Sequence, residues 1–350
     1  MENNVLVIGN GYDLAHGLNT RYDDFIRYIK NAIDDDSFIQ KQDDREFVRK
    51  CIETNGFLKY FLAYTNVVPG WVDLEKLIRE VVNYFEIFFE NCNVFVNARQ
   101  SIELNTMDDN VSRQKVRVIE CLSRFDLFDQ NNIRGYILYK HMKPIYYTNS
   151  YGLNKREVLK FLKAQLDEII ELLQRYLIYA TDDLDRIDKI QQIADINPRY
   201  VISFNYTNTY KLYGINENDV FHVHGKLGSD PNNMVLGFND EDPENLDFVY
   251  FKKYFQRIQK LTGYIDREKI VIDNSGRIEK TIIHFYGHSM DKTDEDVIVK
   301  LRSFAMKFVI YIHNQDDYEQ KVINLIRVFG KEEATKMIQI GFVKFVQCEQ

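Results

Sequence analysis

The sequence predicts an α/β protein, a Rossmann-like, doubly wound, mainly parallel sheet with a large all-helical insertion. Three observations predict it. The apolar run Val5-Leu6-Val7-Ile8 stops at Gly9-Asn10-Gly11, the following stretch shows only helical spacing, and from Arg199 short β-rich runs alternate with helical ones. Strands that alternate with helices indicate parallel pairing. The expected division is 1–32 with 195–350 as the sheet domain and 33–194 as a helical insertion lobe.

The first element is the strand ending at Ile8. Gly9 and Gly11 can adopt backbone angles closed to other residues and let main-chain N–H groups approach a ligand closely, which points to a diphosphate. The dehydrogenase fingerprint needs a third glycine three residues after Gly11, where Leu14 stands, and a prompt second strand. Instead Tyr22, Phe25, Ile26, Ile29 and Ile33 follow at helical spacing, which disfavours a hydride-transfer enzyme. A bare glycine-x-glycine turn also occurs where nothing binds.

Helical patterns continue through Leu74 to Phe95 and Val158 to Ala180, joined by polar connectors such as Asn105 to Asp109. The expected later strands are Tyr200 to Phe204, Val220 to Val223, Met234 to Phe238, Thr281 to Tyr286, Phe308 to Ile312 and Phe342 to Val346, with helices over Asp294 to Met306 and Tyr318 to Val328. Ligands in such sheets sit beyond the carboxyl ends of strands. Four polar clusters directly follow apolar runs: Gly9-Asn10-Gly11, Asn205-Tyr206-Thr207-Asn208, His224-Gly225 and Gly287-His288-Ser289.

Composition sets the outer bounds. The chain has 350 residues, 45% hydrophobic and 28% charged, which fits an ordinary globular protein rather than a disordered or fibrous one. With 53 acidic against 45 basic residues and no basic block, binding to nucleic acid or an anionic membrane through bulk charge is disfavoured. Cys51, Cys92, Cys121 and Cys348 are widely separated, so no zinc ribbon, metal centre or disulfide framework is expected. No targeting signal and no apolar run of membrane length is found, and a cytoplasmic location is expected.

The motif residues resemble two known groups. Gly9 to Tyr22, with Gly17-Leu18 as its third glycine and apolar partner, is similar to the first motif of sirtuins. Phe204-Asn205-Tyr206 is similar to the sirtuin segment that supplies an asparagine, and His222-Val223-His224-Gly225 to the one that supplies the catalytic histidine. The opening from Asn10 to Leu18, the Trp71-Val72-Asp73-Leu74-Glu75 segment and Tyr286 to Asp294 resemble the bacteriophage abortive infection AbiH family, over nearly the whole chain.

The resemblance implies a sirtuin-like nucleotide-binding core and a role in phage defence, with NAD as substrate. Cleaving the nicotinamide bond needs little covalent help, because the leaving group is already cationic. Gly9, Asn10 and Gly11 would hold the diphosphate, Asn205 would fix the ribose or the attacking water, and His224 would accept a proton. Gly287, His288 and Ser289 would line the adenosine side, with Asp291 on a ribose hydroxyl. Asp13 and His16 stand where sirtuins commonly carry serines and are counted with the nucleotide-binding turn. The chain lacks the four-cysteine zinc module of sirtuin deacetylases, and Asn19-Thr20-Arg21-Tyr22 replaces their Pro-Asp-Phe-Arg run.

Plainer readings stand beside these. His222, inside a strand, reads as a core imidazole; Asn205 can cap a turn; Thr293 to Asp296 matches a loose capping box, which makes its acids structural; and the Trp71 segment anchors and begins a helix. The candidate functions are an NAD hydrolase, a non-catalytic NAD or ADP-ribose sensor, and, more weakly, a toxin acting on nucleic acid. A homo-oligomer and a phage-derived activator are compatible with the first two.

Overall fold

The computed structural model describes residues 2–35, 37–67, 73–90, 109–128, 142–148, 150–239, 246–273 and 275–349. Six strands form one sheet: β1 (Glu2–Ile8), β2 (Tyr200–Ser203), β3 (Val220–His222), β4 (Lys280–Tyr286), β5 (Lys307–Ile312) and β6 (Val343–Gln347). Their spatial order is β3-β2-β1-β4-β5-β6, and every pairing is parallel. This is a doubly wound order, with its topological switch at β1 and β4.

Why β1 takes the centre is plain from its residues. Val5, Leu6, Val7 and Ile8 are all fully buried, as a strand covered on both faces requires. Alternation sends Val5 and Val7 to one core with Ile202, Ile283, Phe285 and Ile310. Leu6 and Ile8 go to the other, with Val201, Tyr286, Val309 and Tyr311.

The chain divides into two compact units. The first, Met1–Arg21, Leu177–Val235 and Arg257–Gln350, holds the sheet. Between its strands lie the helices Glu295–Arg302, Gln315–Phe329 and Lys331–Gln339. Asn314 caps the second of these by accepting from the Asp317 N–H at 2.9 Å.

The second unit, Tyr22–Tyr176 and Leu236–Gln256, is mainly helical. Its helices include Tyr22–Asp34, Gln42–Thr54, Gly56–Val67, Leu74–Glu90, Asp109–Leu122 and Lys155–Ala180. A short antiparallel pair, Tyr147–Thr148 with Gly152–Leu153, interrupts the helical pattern. The core is aromatic: Phe57 and Phe85 both meet the Phe125 ring edge-on, at centroid distances of 5.3 and 5.1 Å. Asp73 starts the Leu74–Glu90 helix by accepting from the Lys76 N–H. Trp71, Val72, Cys92 and the polar connector 105–108 lie outside the described residues.

One expected strand is absent. Met234 to Phe238 is buried and apolar, but the Val235 N–H donates to the His224 carbonyl, and Leu236 pairs through both its N–H and carbonyl with the side-chain amide of Gln256. Apolar burial without a ladder explains the misreading. Among the described residues, no helix is long and apolar enough to cross a membrane. Cys51, Cys121 and Cys348 are buried free thiols, and burial pushes the Cys51 thiol up to about 12.

Candidate functional site

The sheet unit brings the loops after β1, β2, β3 and β4 to one end of the sheet. After β1, Gly9 leads into the six-residue helix Asn10–Ala15. The Gly9 N–H donates to the Tyr286 carbonyl at 3.4 Å, and the Gly11 N–H donates to the Gly287 carbonyl at 2.9 Å. A Cβ on Gly9 would lie 2.8 Å from the Gly287 oxygen, and one on Gly11 2.8 Å from the Gly287 Cα. The two glycines are therefore required first by the close approach of the β4 loop, and these two amides already have protein acceptors. The Asn10 side chain is exposed and accepts from the Thr20 hydroxyl at 2.6 Å.

Gly17 has a different task. The Leu18 N–H bonds to the Asp13 carbonyl and the Gly17 N–H to the Leu14 carbonyl, with Gly17 at φ +76. This is a Schellman stop, which ends the helix and sets the path of the chain after it.

Asn205 follows β2 and is buried. Its side-chain amide donates to the Gly9 carbonyl at 3.0 Å, joining residues far apart in sequence. Close to it, Asp13 is 1% exposed; one carboxylate oxygen accepts from the Thr207 hydroxyl at 2.6 Å and the other has no hydrogen-bond partner among the described residues. Burial pushes the Asp13 carboxyl up to about 6, against the lowering effect of Thr207, Thr209 and Asn205. His16 is committed elsewhere. Its Nδ1–H donates to the Tyr12 carbonyl at 2.7 Å and its Nε2 accepts from the Tyr213 hydroxyl at 2.8 Å, whose oxygen accepts from the Ile190 N–H. Burial lowers its basicity.

His224 follows β3 and His288 follows β4. The Phe204 ring stands between them, at centroid distances of 5.5 Å from His224 and 4.2 Å from His288. The Met290 N–H donates to His288 Nδ1 at 2.9 Å, so the neutral ring carries its proton on Nε2, which lies 3.5 Å from Asp294. His224 Nε2 also lies 3.5 Å from Asp294 and accepts from the Arg257 guanidinium at 3.1 Å. Arg257 is anchored on its other side by Asp296 at 2.6 Å.

Asp294 and Arg257 are the residues that sequence reasoning missed. Asp294 occupies the N-cap position of the Glu295–Arg302 helix without making a side-chain cap bond; it faces the two imidazoles instead. The assignment of the Thr293–Asp296 acids to helix capping is corrected for this residue. Asp291, by contrast, accepts from the Thr293 N–H at 3.0 Å and caps the turn, while Ser289 is exposed and accepts from the Asp291 N–H.

His222 lies in a second polar group. Its Nε2 is 3.2 Å from Glu217, which also takes hydrogen bonds from Tyr210 and Lys226. Burial pushes the Glu217 carboxyl up, but those two donors outweigh it and hold the group at about 2. Burial also lowers the basicity of His222.

The arrangement can do three things chemically. It presents a buried amide, two imidazoles and a guanidinium at the switch of a doubly wound sheet, where such folds bind ligands. It holds a carboxylate, Asp294, where either imidazole can use it. It also holds a second carboxyl, Asp13, whose titration burial raises to about 6.

Comparison with curated proteins and with solved structures gives no match. The family described as bacteriophage abortive infection AbiH matches residues 5–312, which takes in the second half of β1, the strands β2 to β5 and every site residue above. The chain therefore belongs to the bacteriophage abortive infection AbiH family, and its role lies in phage abortive infection.

Proposed function

We propose that the sheet unit is a sirtuin-like NAD hydrolase, cleaving the nicotinamide–ribose bond to nicotinamide and ADP-ribose in infected cells. The single observation that carries the reading is the Asn205 amide seated on the Gly9 carbonyl at the β1 switch, with His224 and His288 on the neighbouring loops. A bound dinucleotide spanning that switch would place its ribose near Asn205, the residue type able both to donate to a hydroxyl and to accept from a water. His224 would take the proton from that water as the oxocarbenium-like ribose is captured. Because the Gly9 and Gly11 amides serve the protein backbone, the diphosphate would be met by Asn10, with Gly287, His288, Ser289 and Asp291 on the adenosine side. In this proposal the helical unit is an insertion into the sheet unit's sequence, the protein acts in the cytoplasm, and a phage-derived signal or self-assembly starts the reaction.

The test is chromatography of NAD incubated with wild-type protein and with Asn205→Ala. Release of nicotinamide by the wild type and its loss in the folded variant support the reading; equal release by both overturns the site.

A second reading has an observation of its own. The His224 lone pair is held by a guanidinium, which suits binding without chemistry. In that reading the unit senses NAD or ADP-ribose, and calorimetry would show tight binding with ligand recovered unchanged.

A further inference from the structure

Arg257 and Asp294 compete for one atom, the Nε2 of His224. The guanidinium stands 3.1 Å from it and the carboxylate 3.5 Å. A guanidinium has five N–H donors and no acceptor, and it stays protonated, so whenever Arg257 holds Nε2 that nitrogen must offer its lone pair. The imidazole is then neutral with its proton on Nδ1. A carboxylate has the opposite demand: for Asp294 to hold Nε2, that nitrogen must carry a proton, which leaves Nδ1 as the lone-pair nitrogen. The two partners therefore select opposite tautomers of the same ring.

We infer that Arg257 is a latch that keeps His224 in the tautomer Asp294 cannot use, and that withdrawing it converts His224 and Asp294 into an imidazole–carboxylate base. The contact geometry suits a releasable hold. Arg257 is largely buried, yet among the described residues its Nε–H has no hydrogen-bond partner, a cost that a settled structural arginine avoids. Its shortest ion pair is with Asp296, whose side chain is 60% exposed and so within reach of anything that docks there. Its link to Asp294 is longer, at 3.9 Å. The groups facing His224 include Arg257 from the Lys253–Gln259 helix, Asp294 from the start of the Glu295–Arg302 helix, and His288 across the Phe204 ring.

This inference rests on the reading of His224 as proton acceptor, but its physical core, the choice of tautomer, is measurable without any substrate. Arg257→Met keeps an unbranched apolar stem and removes the guanidinium. Asp296→Asn loosens the guanidinium from its exposed side while every buried side chain keeps its identity, so it serves if the first variant does not fold. Nitrogen NMR of the His224 ring in the full chain reads the outcome. Wild type is expected to show Nε2 as an acceptor nitrogen and Nδ1 as an N–H; Arg257→Met should show Nε2 as an N–H, and Asp296→Asn a partial move in the same direction. NAD turnover should rise in Arg257→Met on the order of a hundredfold, the low end of what a positioned base contributes. An unchanged Nε2 signal in both variants overturns the latch whatever happens to NAD. A switched tautomer with turnover lost from an active wild type also overturns it, because Arg257 would then be required. A switched tautomer with no NAD consumed by any of the proteins keeps the latch and removes the hydrolase reading.

Discussion

The main-chain N–H of Gly11 donates to the carbonyl oxygen of Gly287 at 2.9 Å, so the turn after β1 and the turn after β4 form one interlocked piece of backbone. Gly287 is at φ +64, and a Cβ there would lie 2.0 Å from the Tyr12 nitrogen. Gly287→Ala should therefore destabilise the protein by about 3 kcal/mol or more, combining backbone strain with a clash that no side chain can relieve. Urea unfolding checks it. A midpoint equal to wild type would mean that the two turns do not pack as described.

Asp13 gives a signed pH dependence. Its folded carboxyl titrates at about 6 against an ordinary value of 3.8, so between those values the folded state binds its proton more tightly than the unfolded chain does. This contribution to stability is greatest below about pH 4 and is lost as pH rises through about 6, by an amount on the order of 3 kcal/mol. Asp13→Asn should abolish that part of the slope. The difference between wild-type and variant unfolding free energies, followed from pH 4 to pH 7, isolates it; a constant difference refutes the placement of the carboxyl.

Tyr213→Phe removes a hydroxyl that donates to His16 Nε2 and accepts from the Ile190 N–H. Both partners are left unmet, and the expected loss is about 1–3 kcal/mol. Thermal unfolding of the variant measures it, and an unchanged midpoint would show that water replaces the hydroxyl at no cost.

In the helical unit, Phe85→Ala opens a cavity beside Phe125, where the Phe85 ring is fully buried. A loss of about 3–5 kcal/mol is expected. Amide exchange should accelerate in the Leu74–Glu90 and Asp109–Leu122 helices; protection equal to wild type there would contradict the packing.

The parallel sheet was legible because its strands carry their own signal: short β-rich runs, each closed by a polar cluster and separated by helical periodicity. The strand order was not, since nothing local in Val220 to His222 or Lys280 to Tyr286 says which neighbour it will take. Met234 to Phe238 misled for the complementary reason, being apolar enough for a strand while its backbone bonds go to a loop carbonyl, a glutamine side chain and, at Phe238 alone, an isolated bridge to Lys252. Asn205 and His224 could be singled out by their position after apolar runs. Asp294 could not, because three acids in four residues before a helix read as a cap, and its turn toward His224 and His288 depends on the order of β3 and β4. Arg257 lacked any signal: it sits in an unremarkable amphipathic segment, and its meaning comes wholly from the ring it touches.

The pairing of Glu2 with Lys280 and of Val5 with Tyr200 bears on how the protein is made. Of the six strands of the sheet, β1 is synthesised before the others yet lies between two of them, and both of its partners come from segments made much later. Contacts so distant in sequence slow folding and leave an apolar segment exposed meanwhile, a condition that favours chaperone protection during translation. A chain cut short before residue 294 lacks Asp294, and one cut before residue 280 lacks the strand whose Gly287 carbonyl holds the Gly11 turn, so neither product carries the assembled site.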